Sequence, residues 1–369
     1  MLHAYGSLLF TLFAGGLAVW AWLIWRLIFR LPILPREPRR DVPWGLIDLL
    51  LAFALYLLLS FAAITVVPVE RQLKNPAGDR AAIALAADES LPPELTEKIT
   101  AEMELTLPGW RTMIALDSGI KLLVMLLVIV STVARLRATS FDFGLTLTRL
   151  GDDLRIGGVT FLAIYLPMIA LQAALVYGLD WKYDHPLIAS VTETKDLLLF
   201  ALAGIAAAVV APLFEEFIFR GLLQGWLEKL FEARATGNQL LTGGREELEM
   251  PLPDPQVNFD QPADQKFTYD NPYASPQLLD SPASTGSYNR QTQSAPYDWL
   301  AIFLSTIVFS LLHYSHGPAW IPLLIFGAAL GWVYQRTHRL WPGIVAHMLL
   351  NATTMFGLWV QVFGKEALR

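Results

Sequence analysis

Acidic, basic and imidazole side chains occur in this sequence inside stretches that are otherwise apolar. Glu215, Glu216 and Arg220 lie in Ala-Pro-Leu-Phe-Glu-Glu-Phe-Ile-Phe-Arg-Gly. His313 closes Phe309-Ser310-Leu311-Leu312-His313, with His316 just beyond, and His347 and Asn351 stand four apart in a third stretch. An ionisable group at the centre of a bilayer costs roughly 2.5 to 3.5 kcal/mol on insertion scales, so each of these is a candidate for function. Glu216 and Arg220 are at i, i+4 and can pair on one helix face. Neighbouring helical residues diverge by about 100°, so Glu215 and Glu216 are not expected to face the same neighbour, and Glu215 is expected to remain available as a general base. His347 and Asn351, again at i, i+4, share a face of their own helix.

Cleaving an amide within a membrane needs a water, a base to deprotonate it, and donors for the tetrahedral oxyanion. A carboxylate can take the proton, an imidazole can orient the water or protonate the leaving amine, and Asn can donate to the oxyanion. Glu215, His313 and His347 also match the three-ligand inventory of a catalytic zinc site, where the metal lowers the pKa of its bound water. There are no cysteines and no His-Glu-x-x-His helix, so such a site would have to be assembled from different segments. These residues alone leave both routes open. Other polar intrusions read as structural: Asp117 and Lys121 are four apart and neutralise one another, and Asp48 is close enough to its segment's end to reach the interface or an arginine of the preceding loop.

The elements that must carry these side chains follow from composition. The chain has 369 residues, 54% hydrophobic and only 16% charged, with a formal net charge of -6. That balance argues for a membrane protein and against a nucleic-acid partner, which would need a clustered basic face. Apolar runs long enough for a helix to cross about 30 Å of hydrocarbon occur at about Ser7 to Phe29, Trp44 to Val67, Met113 to Ala134, Ile156 to Gly178 and Leu197 to Leu227. Shorter or Gly/Pro-punctuated runs follow at Trp299 to His313, Ala319 to Tyr334 and Trp341 to Phe363. The expectation is an all-α, polytopic bundle of about eight transmembrane helices, since backbone polar groups in lipid must be satisfied within the segment.

Arg30, Arg36, Arg39 and Arg40, then Arg135, Arg137, Arg149 and Arg155, then Arg336 and Arg339 mark the loops expected to be cytoplasmic. The sequence divides into an N-terminal four-helix membrane region (1–178), a core formed by 179–228 and 298–369, and an inserted polar segment (229–297). That segment is rich in Pro, Gln, Asn and Ser; it is expected to be a disordered loop, with scattered aromatics that could dock a partner. No repeat of transporter type is evident.

Taken in order, Glu215-Glu216-x-x-x-Arg220, Phe309-x-x-x-His313 and His347-x-x-x-Asn351 resemble the three signatures of the CPBP family. That family comprises the CAAX prenyl protease 2 type enzymes and their bacterial relatives, also called the Abi family. The resemblance covers about Leu197 to Val362. It implies an eight-helix intramembrane endopeptidase of glutamate or metal-dependent type, in which Glu215 and His313 activate the water, Glu216 and Arg220 support the site, and His347 with Asn351 lines the oxyanion pocket. A divalent metal such as zinc, held by Glu215, His313 and His347, stays open as a cofactor. The expected partners are membrane lipids and a peptide or membrane-protein substrate, and the expected location is a bacterial inner membrane. Two other readings compete: a non-catalytic scaffold or bacteriocin-immunity-type protein that keeps the polar cluster for packing, and an ion-coupled transporter using Glu215 and Glu216 as a relay.

Overall fold

The computed structural model describes residues 2–37, 41–69, 71–73, 103–179, 186–231, 236–244 and 298–364. Its helices are α1 (Leu2–Ile28), α2 (Leu46–Val66), α3 (Leu107–Leu136), α4 (Leu150–Gly178), α5 (Pro186–Thr194), α6 (Leu197–Phe231), α7 (Gly237–Thr242), α8 (Asp298–Leu311), α9 (Trp320–Thr337) and α10 (Trp341–Phe363). Among the described residues, seven helices are long and apolar enough to cross a membrane. The sixth apolar run is the exception to the expected eight: α8 is short, and the chain passes at His313 into a 3₁₀ turn (Tyr314–Ala319) containing Gly317 at φ 69° and Pro318. An apolar helix of that length is more typical of a buried or re-entrant element than of a full crossing.

The bundle otherwise matches the all-α expectation, with one local departure. Arg71–Leu73 (β1) and Met103–Leu105 (β2) pair antiparallel, Arg71 opposite Leu105, between α2 and α3.

Helix ends are set by ordinary capping chemistry. The Thr106 hydroxyl accepts from Gly109 N at 3.1 Å and Pro108 sits in the first turn of α3, whose other end is stopped by Arg137 in the left-handed region. The Asp196 carboxylate accepts from Leu199 N at 2.6 Å and caps α6. Asp48 accepts from Gly45 N at the start of α2 and is ion-paired with Arg135 of α3, so its partner is not an arginine of the preceding loop. Lys121 and Asp117 pair at 2.6 Å within α3, and Tyr56 of α2 donates to Asp117 at 2.9 Å. The Asp117–Lys121 pairing is the one their i, i+4 spacing suggested, whereas the contacts of Asp48 with Arg135 and of Tyr56 with Asp117 join α2 to α3.

α6 is the centre of the bundle. Phe217, Ile218, Phe219 and Leu222 on it pack in one core with Phe309 of α8, Phe326 and Leu330 of α9, and Ile344 and Ala346 of α10. α10 packs along α4, α9 along α8, and α3 against α2 and α6. The outward faces of α1 to α3 are apolar, with Phe10, Leu57, Leu58 and Leu126 exposed, as helices facing hydrocarbon must be.

Within the segment expected to be disordered from residue 229, residues 229–231 and 236–244 are ordered. Lys229 is buried and donates to Val42 O, Gly244 O and Trp44 O at 3.1, 3.2 and 3.4 Å. Thr236 and Gln239 form a reciprocal cap on α7, and the Trp226 indole donates to Leu240 O. Three carbonyls converging on one ammonium, together with the cap, order residues whose composition alone reads as polar loop. The remainder, 232–235 and 245–297, lies outside the described residues.

Candidate active site

The site forms where α6 meets the end of α8 and the first turns of α10. α6 is not a uniform helix: it widens into π-helix at Ala206–Val210 and again at Phe217–Gln224, and Glu215 and Glu216 lie on the α-helical turn between. π-turns shift the angular register of side chains and are frequent at functional sites. Because α8 ends early, His313 leaves its helix beside Glu215 instead of continuing across.

Glu215 stands between two imidazoles. Its Oε2 lies 3.9 Å from His313 Nε2 and 3.8 Å from His347 Nε2, and that oxygen is buried with no hydrogen-bond partner. Glu216 takes the other side of His347: its Oε1 accepts from His347 Nδ1 at 3.0 Å, and its Oε2 lies 3.3 Å from Arg220 Nε. The two carboxylates therefore do face one common neighbour, against the expectation from helical angles. An imidazole carries nitrogens on two sides of its ring, so carboxylates that diverge around α6 can each reach one of them.

The ring states follow from the partners. His313 Nδ1 is 2.8 Å from Phe309 O, which can only accept, and His347 Nδ1 faces a carboxylate, so both Nδ1 atoms carry hydrogen. A neutral ring then turns an Nε2 lone pair towards Glu215. Glu215 Oε2 is beyond direct hydrogen-bonding distance of both Nε2 atoms, and the three acceptor atoms make a cradle for a proton donor.

The walls are dry. Arg220 is 1% exposed, lies over the Phe309 ring at 4.6 Å, and donates to Gly327 O at 3.2 Å. Phe309 and Phe326 present to the His347 ring nearly edge-on, at 6.1 and 4.9 Å. Asn351 is one turn along from His347 on α10, and its Nδ2 donates to Ala207 O at 2.7 Å, in the first π-segment of α6. The side chain of His316 lies outside the described residues.

The residues expected to meet do so: Glu215, His313 and His347 converge, with Glu216 and Arg220 behind them. Sequence reasoning missed the glycines that permit this. A Cβ on Gly327 would come within 3.0 Å of Thr306 Cγ2 and 3.3 Å of Phe309, and one on Gly343 within 2.9 Å of Glu216 Oε2. Gly327 and Gly331 form a small-xxx-small pair on α9, a signal legible in the sequence that lets α9 approach α6 and α8 closely. Gly343, in the first turn of α10, sets the Glu216 carboxylate against a helix N-terminus, where negative charge is favoured.

Among the described residues no group of three or more His, Asp or Glu side chains is arranged to hold a metal ion. The donor types of Glu215, His313 and His347 suit zinc, but their present spacing is that of acceptors around a shared donor.

The family model for type II CAAX prenyl endopeptidases, Rce1-like, matches residues 197–243 and 285–353, which include Glu215, Glu216, Arg220, His313, His347 and Asn351. No curated protein and no solved structure matches the chain.

Proposed function

The core of this chain belongs to the Rce1-like family of type II CAAX prenyl endopeptidases, and from that premise we propose an intramembrane endopeptidase in which Glu215, His313 and His347 activate water against a peptide bond. The observation that carries this reading is the meeting of Glu215 Oε2 with two Nε2 atoms at 3.8 and 3.9 Å. A water in that cradle donates to the acceptors around it. One O–H donates to Glu215, which takes that proton as general base, while the other donates to an imidazole Nε2 and holds the oxygen in line with the substrate carbonyl. The new C–O bond gives a tetrahedral oxyanion, the C–N bond breaks, and Glu215 returns its proton to the leaving amine.

Glu216 fixes the tautomer and orientation of His347, as a buried carboxylate does for the histidine of a serine triad. Arg220 pairs with Glu216 at 3.3 Å and holds that carboxylate in place against His347. The Asn351 carboxamide has two N–H groups; one is engaged by Ala207 O, and the other is assigned to the oxyanion. The substrate class we assign is a CAAX-like peptide end presented at the bilayer, in a bacterial inner membrane.

The test is hydrolysis of a quenched farnesylated CAAX-type peptide by the full chain in proteoliposomes. Glu215→Gln and His347→Asn should each lower kcat at least about 100-fold, the usual weight of acid–base catalysis. Full activity in both variants, with cleavage by the parent chain, would discard the chemistry. Dialysis against phenanthroline should leave the rate unchanged; a loss that zinc alone restores would turn these three side chains into metal ligands.

A further inference from the structure

A cavity of about 980 Å³ lies apart from the catalytic cluster, between the second half of α1, the first half of α4 and the second half of α9. None of Glu215, Glu216, His313 and His347 lines it. It has two chemically distinct zones. Trp22, Val159, Ala163, Ile164 and Trp332 form an apolar shaft, while Arg26, Arg149, Arg155 and Arg339 gather at one end with Glu37 and Asp152.

The carboxylates at that end are already committed. Arg149 pairs with Glu37 at 2.8 Å and Asp152 at 3.2 Å, and Arg339 pairs with Glu37 at 3.0 Å and with buried Asp153 at 2.8 Å. Two cations remain without a carboxylate. Arg26 donates one N–H to Pro32 O and lies over the Trp22 ring at 5.1 Å, but its buried Nε has no acceptor. Arg155 is exposed and has no hydrogen-bond or ion-pair partner among the described residues. Positive charge in excess at the mouth of an apolar shaft calls for an anion joined to a hydrocarbon chain.

Depth narrows the choice. From Asp152 to Ile164 the α4 wall rises about 18 Å at ~1.5 Å per residue. That is a little over half of a hydrocarbon core of about 30 Å, so the shaft is one leaflet deep. A free phosphate would leave the shaft empty, and a plain hydrocarbon would leave Arg26 and Arg155 unanswered.

We propose that this cavity binds one anionic phospholipid of the leaflet at the arginine-rich end, with its phosphate on Arg26 and Arg155 and an acyl chain along the shaft. Basic pockets between transmembrane helices recognise anionic headgroups in this manner. The bound lipid braces the helices that frame the catalytic site. α4 packs Gly157 against Pro342 O and Val345 of α10, the helix of His347, and α9 carries Phe326 and Gly327.

The experiment is native mass spectrometry of the detergent-purified full chain, supplied with equal phosphatidylglycerol and phosphatidylcholine of identical acyl chains. One phosphatidylglycerol should be retained with at least about tenfold preference, the scale expected of two arginines at an anionic headgroup. Arg155→Gln should reduce that preference, Arg26→Gln with Arg155→Gln should bring it to parity, and Val159→Trp should expel the lipid. Equal retention of the two lipids by the parent chain, or an unchanged preference in the arginine variants, overturns the proposal. So does equal binding of glycerol phosphate without chains, or displacement of the lipid by a farnesylated peptide, which would make the cavity a substrate site. Arg155 is exposed, so the single Arg155→Gln variant, checked by its thermal unfolding midpoint, decides the matter if the double variant does not fold.

Discussion

Glu215 and Glu216 are adjacent in sequence and opposite in circumstance. The Glu215 side chain is 17% exposed, with one oxygen turned to two imidazoles, whereas Glu216 is fully buried between Arg220 and His347. Removing one member of a buried ion pair leaves the other charge uncompensated, at about 3 to 5 kcal/mol. Glu216→Gln should therefore lower thermal stability by about that amount, by leaving Arg220 unpaired, and activity should fall with it. Glu215→Gln should leave the unfolding midpoint near that of the parent while abolishing cleavage. Thermal unfolding of the two variants in the same detergent checks the contrast; equal midpoints would mean that Glu216 does not carry the Arg220 charge.

α6, α8 and α9 are each irregular in a way that serves the site. α6 changes pitch on both sides of Glu215 and Glu216, α8 stops before crossing, and α9 presents glycines where its neighbours press closest. Gly327→Val should overpack the contact with Thr306 and Phe309 at a cost of about 1 to 3 kcal/mol, and it should reduce cleavage by displacing Arg220. Unfolding and peptide hydrolysis measured on the same preparation test this; a variant of unchanged stability and activity would remove the close packing of α9 from the account.

The start of α6 offers a titratable counterpart outside the membrane. The hydrogen bonds from Arg111, then from Leu199 N, hold the Asp196 carboxyl below the usual carboxylate range. A group with its folded pKa depressed contributes stability that is complete above its unfolded pKa of about 3.9 and is lost as pH falls through the folded value. Asp196→Ala should cost about 1 kcal/mol at neutral pH, as cap substitutions do. The gap from the parent should close as pH drops below about 4, and a gap that widened in acid would refute the sign.

Across the whole molecule, chain segments far apart in sequence are joined by buried polar contacts as well as by apolar packing. Trp44, fully buried, stacks on Phe143 at 5.2 Å and donates to Leu222 O at 3.2 Å, tying the start of α2 and the α3–α4 connection to α6. Arg339, between α9 and α10, reaches Asp153 of α4 and Glu37 after α1. Trp44→Ala should destabilise by about 3 to 5 kcal/mol, the range for a buried aromatic, and should impair the site although Trp44 touches none of its residues. Urea unfolding in mixed micelles would measure it; a loss below about 1 kcal/mol would show the contact to be incidental.

The apolar runs, their order and the polar residues within them were legible in the sequence, because the length of hydrocarbon to be crossed and the cost of burying charge act on each segment locally. The i, i+4 pairing of Glu216 with Arg220 was legible for the same reason, since spacing along one helix determines which side chains share a face. What lies between helices was decided only by the folded chain. Spacing could not show that one His347 ring serves both carboxylates, that a short α8 delivers His313 to Glu215, or that Lys229 is fastened by three carbonyls. Nor could it reveal two arginines left over beside an apolar shaft. Those outcomes depend on π-turns, on glycine contacts and on which faces meet, and such relations come into being only when segments distant in sequence pack together.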